Sequence, residues 1–234
     1  MADFVLVHGA WHGAWCWKRI LPALWRRGHR AFAVTLTGVG ERAHLRTPEI
    51  RLSTHIDDVA AVIEAEELTD CILVGHSYAG MVITGVADRM AARIGQMVYL
   101  DAVVPRSGEC WSSRHPQETQ AARRKTIADM GMLPAAPPDA FGLVGEDAAW
   151  VQRRQTPQPG GVYDDPLVFD EARVAALKRC FIDCTDPALP TIAEMRRRVR
   201  QEPGWRVVEI PTGHDAMISA PEALLEALLS LPPD

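Results

Sequence analysis

The 234-residue chain lacks any surplus of positive charge: 25 lysines and arginines stand against 30 aspartates and glutamates, a formal net charge of −5. A phosphate-binding surface needs concentrated cations, so this balance argues against a nucleic-acid partner. The one basic run, RRRVR at 196–200, is interleaved with helix-forming residues and reads as a solvated helical face near a carboxyl terminus. Nowhere do about 18 apolar residues follow one another, so no membrane-spanning helix is expected. MADFVLVHG passes straight into a strand without the basic region and long apolar stretch of a leader, and a cytoplasmic protein is the expectation. Cysteines are few and odd in number: Cys16, Cys71, Cys110, Cys180 and Cys184 repeat no metal spacing and read as reduced structural thiols. The first turn, HGAWHG, lacks G-x-G-x-x-G and puts the large Trp11 where a pyrophosphate would need close approach, which weighs against a dinucleotide. His8 and His12 are four apart but separated by a glycine turn, so they form no metal-binding helix. Neither a metal nor an organic cofactor is expected.

What the chain does have is 47% hydrophobic and 24% charged residues, ordinary for a globular enzyme and enough for one sizeable core. Its organising stretch is DCILVGHSYAGMVITGVA at 70–87. Ile72, Leu73 and Val74 form an apolar run ended by Gly75, and small residues after Ser77 open a helix. A sharp strand-turn-helix bend exposes a serine hydroxyl and aims the helix amino terminus at developing negative charge. The usual G-x-S-x-G pattern is G-x-S-x-A here, with Ala79 followed by Gly80. The alternative reading of Ser77 is a helix cap.

A second such unit starts at Phe4–Val7, a continuous apolar run suited to a central parallel strand, followed by a turn and the helix-like spacing of Trp17, Leu21, Leu24 and Trp25. Both turns should open at the same sheet edge, so the backbone amides of Ala10 and Tyr78 are candidates for an oxyanion hole, with Gly9 permitting close approach. Residues 30–35 supply another strand, and a polar loop leads to a helix near Thr54. Met97–Leu100 is a further strand, ending at Asp101, which either supports a catalytic histidine or fixes the following turn. From 106 to 167 the strand rhythm is lost, and this polar, proline-rich stretch with helices near 116–130 and 146–155 reads as a cap insertion within a single domain spanning 1–234. Trp11, Trp111, Phe141 and Trp150 are candidate pocket walls. A strand at 180–182 precedes Asp183 and Asp186, of which Asp186 lies far enough past it to turn toward a histidine. The last strand, Trp205–Ile210, is followed by the loop that holds His214. Arg42, Arg46 and Arg51 leave room for a carboxylate at the pocket mouth.

The order Ser77, Asp186, His214 is that of an α/β-hydrolase triad. Taken together, FVLVHGAWHGAWCW, GHSYAG, YLDAVVP, CTD and PTGHDAM resemble the plant-type methylesterase and hydroxynitrile lyase branch of the α/β hydrolases, which includes bacterial small-ester hydrolases. The resemblance implies a mostly parallel sheet of about six strands with flanking helices and a small helical cap. It further implies Ser77 as nucleophile, His214 as general base and acid, Asp186 as its orienting acid with Asp101 as the alternative, and Ala10 and Tyr78 as oxyanion donors. The expected activity is hydrolysis of a small carboxylic ester with an apolar or aromatic part, by a monomer or homodimer. Lyase members are similar to a site with threonine after the first histidine and lysine after the catalytic one. Here those places hold Gly9 and Asp215, and an anion at 215 would oppose cyanide departure. A lyase, a lactonase and a non-catalytic hydrolase-like ligand-binding protein are the alternatives.

Overall fold

Strand residues Phe4–Val7, Ile72–Val74 and Met97–Leu100 are almost wholly shut away from water, and they alternate between two separate cores. Val5, Val7, Leu73, Met97 and Tyr99 face one; Phe4, Leu6, Ile72, Val74, Val98 and Leu100 face the other. Apolar side chains on both faces of a strand require cover on both faces, which is the arrangement of a parallel sheet between helices. A computed structural model of the protein, describing residues 1–231, has this architecture.

In chain order the elements are β1 Asp3–Val7, α1 Leu21–Arg26, β2 Arg30–Val34, α2 Leu52–Ala65, β3 Cys71–His76, α3 Ala79–Met90 and β4 Ile94–Leu100. They continue with α4 Gln117–Met130, β5 Met132–Leu133, α5 Gly145–Gln152, β6 Gln158–Pro159, α6 Glu171–Ala175 and β7 Lys178–Cys184. The chain then forms α7 Ala193–Gln201, β8 Trp205–Ile210, α8 Ala216–Ser219 and α9 Pro221–Leu229. Six strands pair in the order β2-β1-β3-β4-β7-β8, every pairing parallel. Helices α2, α3 and α7 cover one face through Val59, Ile63, Val82, Val86 and Met195, while α1 and α9 cover the other through Leu24, Leu224 and Leu228.

The chain winds outward from β1 to β2 and then returns to place β3 on the other side of β1. Loops leaving the carboxyl ends of β1 and β3 therefore diverge and leave a crevice at that reversal of strand order. Register Val7↔Gly75 sets the turns after β1 and β3 side by side.

Two expectations change. The stretch after Trp11 is not one helix but a single turn of 3₁₀ helix at Ala14–Trp17 followed by α1, because Pro22 has no N–H to continue a helix and starts a new one instead. Segment 106–167 is not strand-free: β5 and β6 form a two-residue antiparallel ribbon, too short for alternation to reveal and containing Pro159. That segment is tied over the β1 turn by bonds from Trp11 N to Gln158 Oε1 (2.9 Å), from Trp11 Nε1 to Leu133 O (3.1 Å) and from Thr156 N to Trp11 O (3.0 Å).

Candidate active site

The bend after β3 holds Ser77 at φ +56°, a left-handed conformation that costs a non-glycine residue about 1–3 kcal/mol and persists only where neighbours impose it. Here Ser77 N donates to Leu100 O (3.2 Å), while Ser77 O accepts from Val103 N (3.0 Å) and Gly80 N (3.2 Å). The spacing of small residues follows from contact. A Cβ on Gly75 would lie 2.9 Å from Ala79 O, and one on Gly80 would lie 1.8 Å from Val103 O. The second glycine is therefore needed at 80, where α3 meets the β4 loop, and Ala79 is tolerated.

His214 Nδ1 lies 2.6 Å from Asp101 Oδ2, so the carboxylate bound to this ring is that of Asp101 and not that of Asp186. Asp186 is exposed, and its backbone N–H donates to Thr212 O (3.0 Å). The reason is where the last loop lies. The carboxyl end of β4 lies beside that of β3 and its Ser77 bend, and the His214 loop, although it leaves β8, lies back across β7 over those two strand ends, where His76 Nε2 and Asp101 Oδ2 meet it. Asp101 is fully buried at φ +42°, donates its own N–H to Ile182 O (2.7 Å) and accepts on Oδ1 from Arg196 Nη2 (2.7 Å). Asp183, the other aspartate, near the end of β7, is a buried partner of Arg196 Nε and of Arg200 Nη2 (2.7 Å). Arg196 thus leaves the solvated face assigned to RRRVR and supplies the cation beside Asp101. Its sequence signal, one arginine within an exposed run, did not separate it from its neighbours.

Among the described residues neither the Ala10 nor the Tyr78 backbone N–H has an intramolecular acceptor. A Cβ on Gly9 would lie 2.9 Å from Ser77 Cβ and 2.7 Å from His76 Nδ1, so only glycine brings the first loop this close to the serine. His8 Nδ1 donates to Gly9 O (2.7 Å), and its Nε2 accepts from Leu36 N (3.1 Å). Burial holds His8 neutral, lowered to about 3. Tyr78 is fixed at its far end by its hydroxyl on His55 Nδ1 (3.0 Å), whose Nε2 donates to Thr37 O (2.9 Å); burial lowers His55 to about 4.

Three of the four expected wall residues come together. Trp11 lies against Trp111 (5.8 Å between ring centroids) and Phe141 (6.0 Å), Trp111 against Tyr78 (5.0 Å), and Phe141 against His214 (5.5 Å). Trp150 does not join them. It packs on Trp15 (5.1 Å) beneath Arg154, on the other core. The three arginines expected at the pocket mouth are each bound within the protein: Arg42 to Asp58 (2.8 Å), Arg46 to Pro157 O (2.9 Å) and Arg51 to Pro48 O (2.6 Å). The basic groups on the wall are two that sequence reasoning passed over. Arg123 lies 5.8 Å from the Trp11 ring and 5.7 Å from that of Trp111, which Arg114 also approaches at 5.7 Å. Burial and the adjoining Arg123 push Arg114 down to about 9.

Asp215 points away from this wall. It is fully buried, with Oδ2 3.4 Å from His12 Nε2 and Oδ1 3.6 Å from His76 Nε2. Burial opposes its charge, but His12, His76 and His214 outweigh burial and hold its carboxyl well below the usual carboxylate range. Burial likewise opposes a charge on His12, and Asp215 reverses that and raises it. His76, by contrast, is kept neutral by burial and by His214. His76, His214 and Asp215 are close enough to share a cation, yet His214 Nδ1 is bound to Asp101 and His76 Nε2 donates to His214 O (3.0 Å). Among the described residues no helix is long and apolar enough to cross a membrane.

Residues 4–227 match a family described as the alpha/beta hydrolase family. A carbendazim hydrolyzing esterase of Nocardioides sp. (strain SG-4G) is 43% identical over 243 residues, spanning 99% of this chain and 100% of the relative. Salicylic acid-binding protein 2 of Nicotiana tabacum is 29% identical over 256 residues, spanning 97% and 96%. Among solved structures, an extracellular alpha/beta-hydrolase from a Paenibacillus species aligns over 100% of both chains with a TM-score of 0.85 at 21% identity, a likeness of fold.

Proposed function

We propose, since this chain belongs to the alpha/beta hydrolase family, that Ser77, His214 and Asp101 are its catalytic triad and that the Ala10 and Tyr78 amides are its oxyanion hole. The protein is a carboxylic ester hydrolase acting on small-molecule esters. The observation that carries the triad reading is the 2.6 Å contact between His214 Nδ1 and the buried, Arg196-bound Asp101. That bond leaves Nε2 of the same ring as the atom that accepts a proton.

In the first half-reaction His214 Nε2 takes the Ser77 proton as the hydroxyl oxygen attacks the ester carbonyl carbon. The carbonyl electron pair moves onto oxygen, where two backbone N–H groups receive it; each such donor contributes roughly 10²–10³ in rate. Collapse breaks the bond to the leaving oxygen, which takes the proton back from His214 and departs as an alcohol. Water, deprotonated by His214, then releases the acid and restores Ser77. Asp101 stays ionised and fixes the ring with its proton on Nδ1.

Trp11, Trp111 and Phe141, beside His214, support a substrate with an apolar or aromatic part. Segment 106–167, bound across Trp11, is assigned as the cap over this site. Asp215, packed on His12, and Gly9, with no room for a side chain, support hydrolysis over cyanide elimination. Four buried free thiols of five support a reducing, cytoplasmic setting. The test is a matched panel of methyl, aryl, lactone, thioester, amide and cyanohydrin compounds with carbendazim included, joined to labelling by a serine-directed organophosphonate. One adduct at Ser77 and a higher kcat/KM for a small methyl or aryl ester than for its amide and cyanohydrin are expected. Undiminished turnover by Ser77→Ala, or preference for the cyanohydrin, rejects the reading.

A further inference from the structure

The Asp215 carboxyl group has no access to solvent, and among the described residues neither of its oxygens accepts a well-formed hydrogen bond. An isolated buried carboxylate is costly, so its neighbours must compensate it. Those neighbours are two histidines, and each touches a loop that bears a group assigned to the reaction. His12 Nδ1 lies 2.8 Å from Ala10 O, and His76 Nε2 lies 3.0 Å from His214 O.

Proton bookkeeping separates the two rings. A carbonyl only accepts, so His12 Nδ1 carries a hydrogen. Were His12 neutral, its Nε2 lone pair would face Asp215 Oδ2 at 3.4 Å, acceptor against acceptor. A second proton on Nε2 removes that conflict and neutralises the carboxylate. His76 needs no such proton: its Nε2–H is directed to the His214 carbonyl, and Asp215 is farther away at 3.6 Å.

We propose that His12 and Asp215 form a buried imidazolium–carboxylate pair that positions the oxyanion loop against the loop carrying His214. Both are positioning residues for the ester hydrolysis assigned above, and the proposal rests on that assignment of Ala10 and His214. The peptide between Gly9 and Ala10, whose N–H is an oxyanion donor, is held on its carbonyl side by His8 Nδ1 (2.7 Å). The next peptide is held by His12. Asp215 directly follows His214, so the His12 contact joins the two loops by a charge pair instead of by shape alone. Such pairs seldom add net stability over an apolar filling, and their usefulness lies in geometry. The groups facing the pair are His8, His76 and His214, together with the stacked Trp15 ring (5.1 Å) and the buried Cys16 thiol, which burial and Asp215 keep protonated.

Asp215→Asn is the informative variant because the new amide N–H can donate to Nε2 of a neutral His12, keeping the shape and removing both charges. Imidazole ¹⁵N NMR on the full chain should show wild-type His12 titrating above the ordinary histidine value of about 6.5, and below it in Asp215→Asn. With a small aryl ester, kcat should fall about 10- to 100-fold in Asp215→Asn and in His12→Gln while KM stays within about twofold, as expected when donors are displaced from the transition state only. Wild-type His12 titrating below about 6.5, or wild-type kcat in either folded variant, overturns the proposal. Should Asp215→Asn fail to fold, His12→Gln and the wild-type titration still decide it. The triad reading fails separately, through undiminished turnover by Ser77→Ala.

Discussion

Replacing Asp101 by asparagine changes few atoms and should nearly abolish turnover, for a reason that can be worked from its two partners. Arg196 Nη2 donates to Oδ1 at 2.7 Å, and a guanidinium can only donate. The side-chain carbonyl of the variant must therefore stay toward Arg196, which turns its NH₂ group toward His214 Nδ1. That nitrogen then has to accept, so the ring proton moves to Nε2, the atom that must be free to take the Ser77 proton. The equivalent change in other Ser-His-Asp enzymes lowers kcat about 10⁴-fold, or about 5 kcal/mol of barrier. A similar loss is expected for Asp101→Asn with an activated aryl ester, while the fold survives because Arg196 retains Asp183. Asp186→Asn, at an exposed site, should stay within about twofold of wild type. The assay is steady-state kcat and KM at constant pH on variants matched by circular dichroism and by urea midpoint. Loss of turnover in Asp186→Asn with retention in Asp101→Asn would refute the reasoning.

Packing and protonation set four further outcomes. His8 and His115, lowered to about 3 by burial, and His55, lowered to about 4, bind protons in the unfolded chain before the folded one. Stability should therefore fall with pH from about 6.5 downward, and urea midpoints that are flat between pH 7 and 5 would contradict this. For the His12–Asp215 pair, the raised histidine contributes fully below about 6.5 and loses that contribution at higher pH, whereas the lowered carboxyl contributes fully above about 3.9 and loses it in acid. The stability difference between wild type and Asp215→Asn should thus be greatest between those limits and shrink on either side, as read by urea melts across pH. Gly80→Ala drives a Cβ to 1.8 Å from Val103 O and should cost at least the upper part of roughly 1–3 kcal/mol, with activity lost alongside. Restoring the strict motif through Ala79→Gly should change the rate little, and a reversed ranking of the two midpoints would show that the bend is not held as described.

The sequence alone determined the strands, because burial on both faces of a parallel sheet leaves a local mark: uninterrupted runs such as Phe4–Val7 and Ile72–Val74. It determined the serine bend as well, since glycine at 75 and 80 answers to contacts within one strand-turn-helix unit and its neighbouring loop. His214 was legible for the same reason, as the one histidine in a loop after the last strand. The partner of that histidine was not. Asp101 and Asp186 both follow strands, and which of them meets the ring depends on how the loop after β8 lies back over the ends of β3 and β4, which the order along the chain does not specify. Arg196 shows the same limit, being one of four arginines in RRRVR and set apart from the others only by what lies beneath it. Trp150 and Trp111 are alike as residues, but packing sends one to Trp15 and the other to the wall beside Tyr78. Asp215 was legible as an anion beside His214, while its direction, inward to His12, was decided only by the packing of loops whose residues lie about two hundred positions apart.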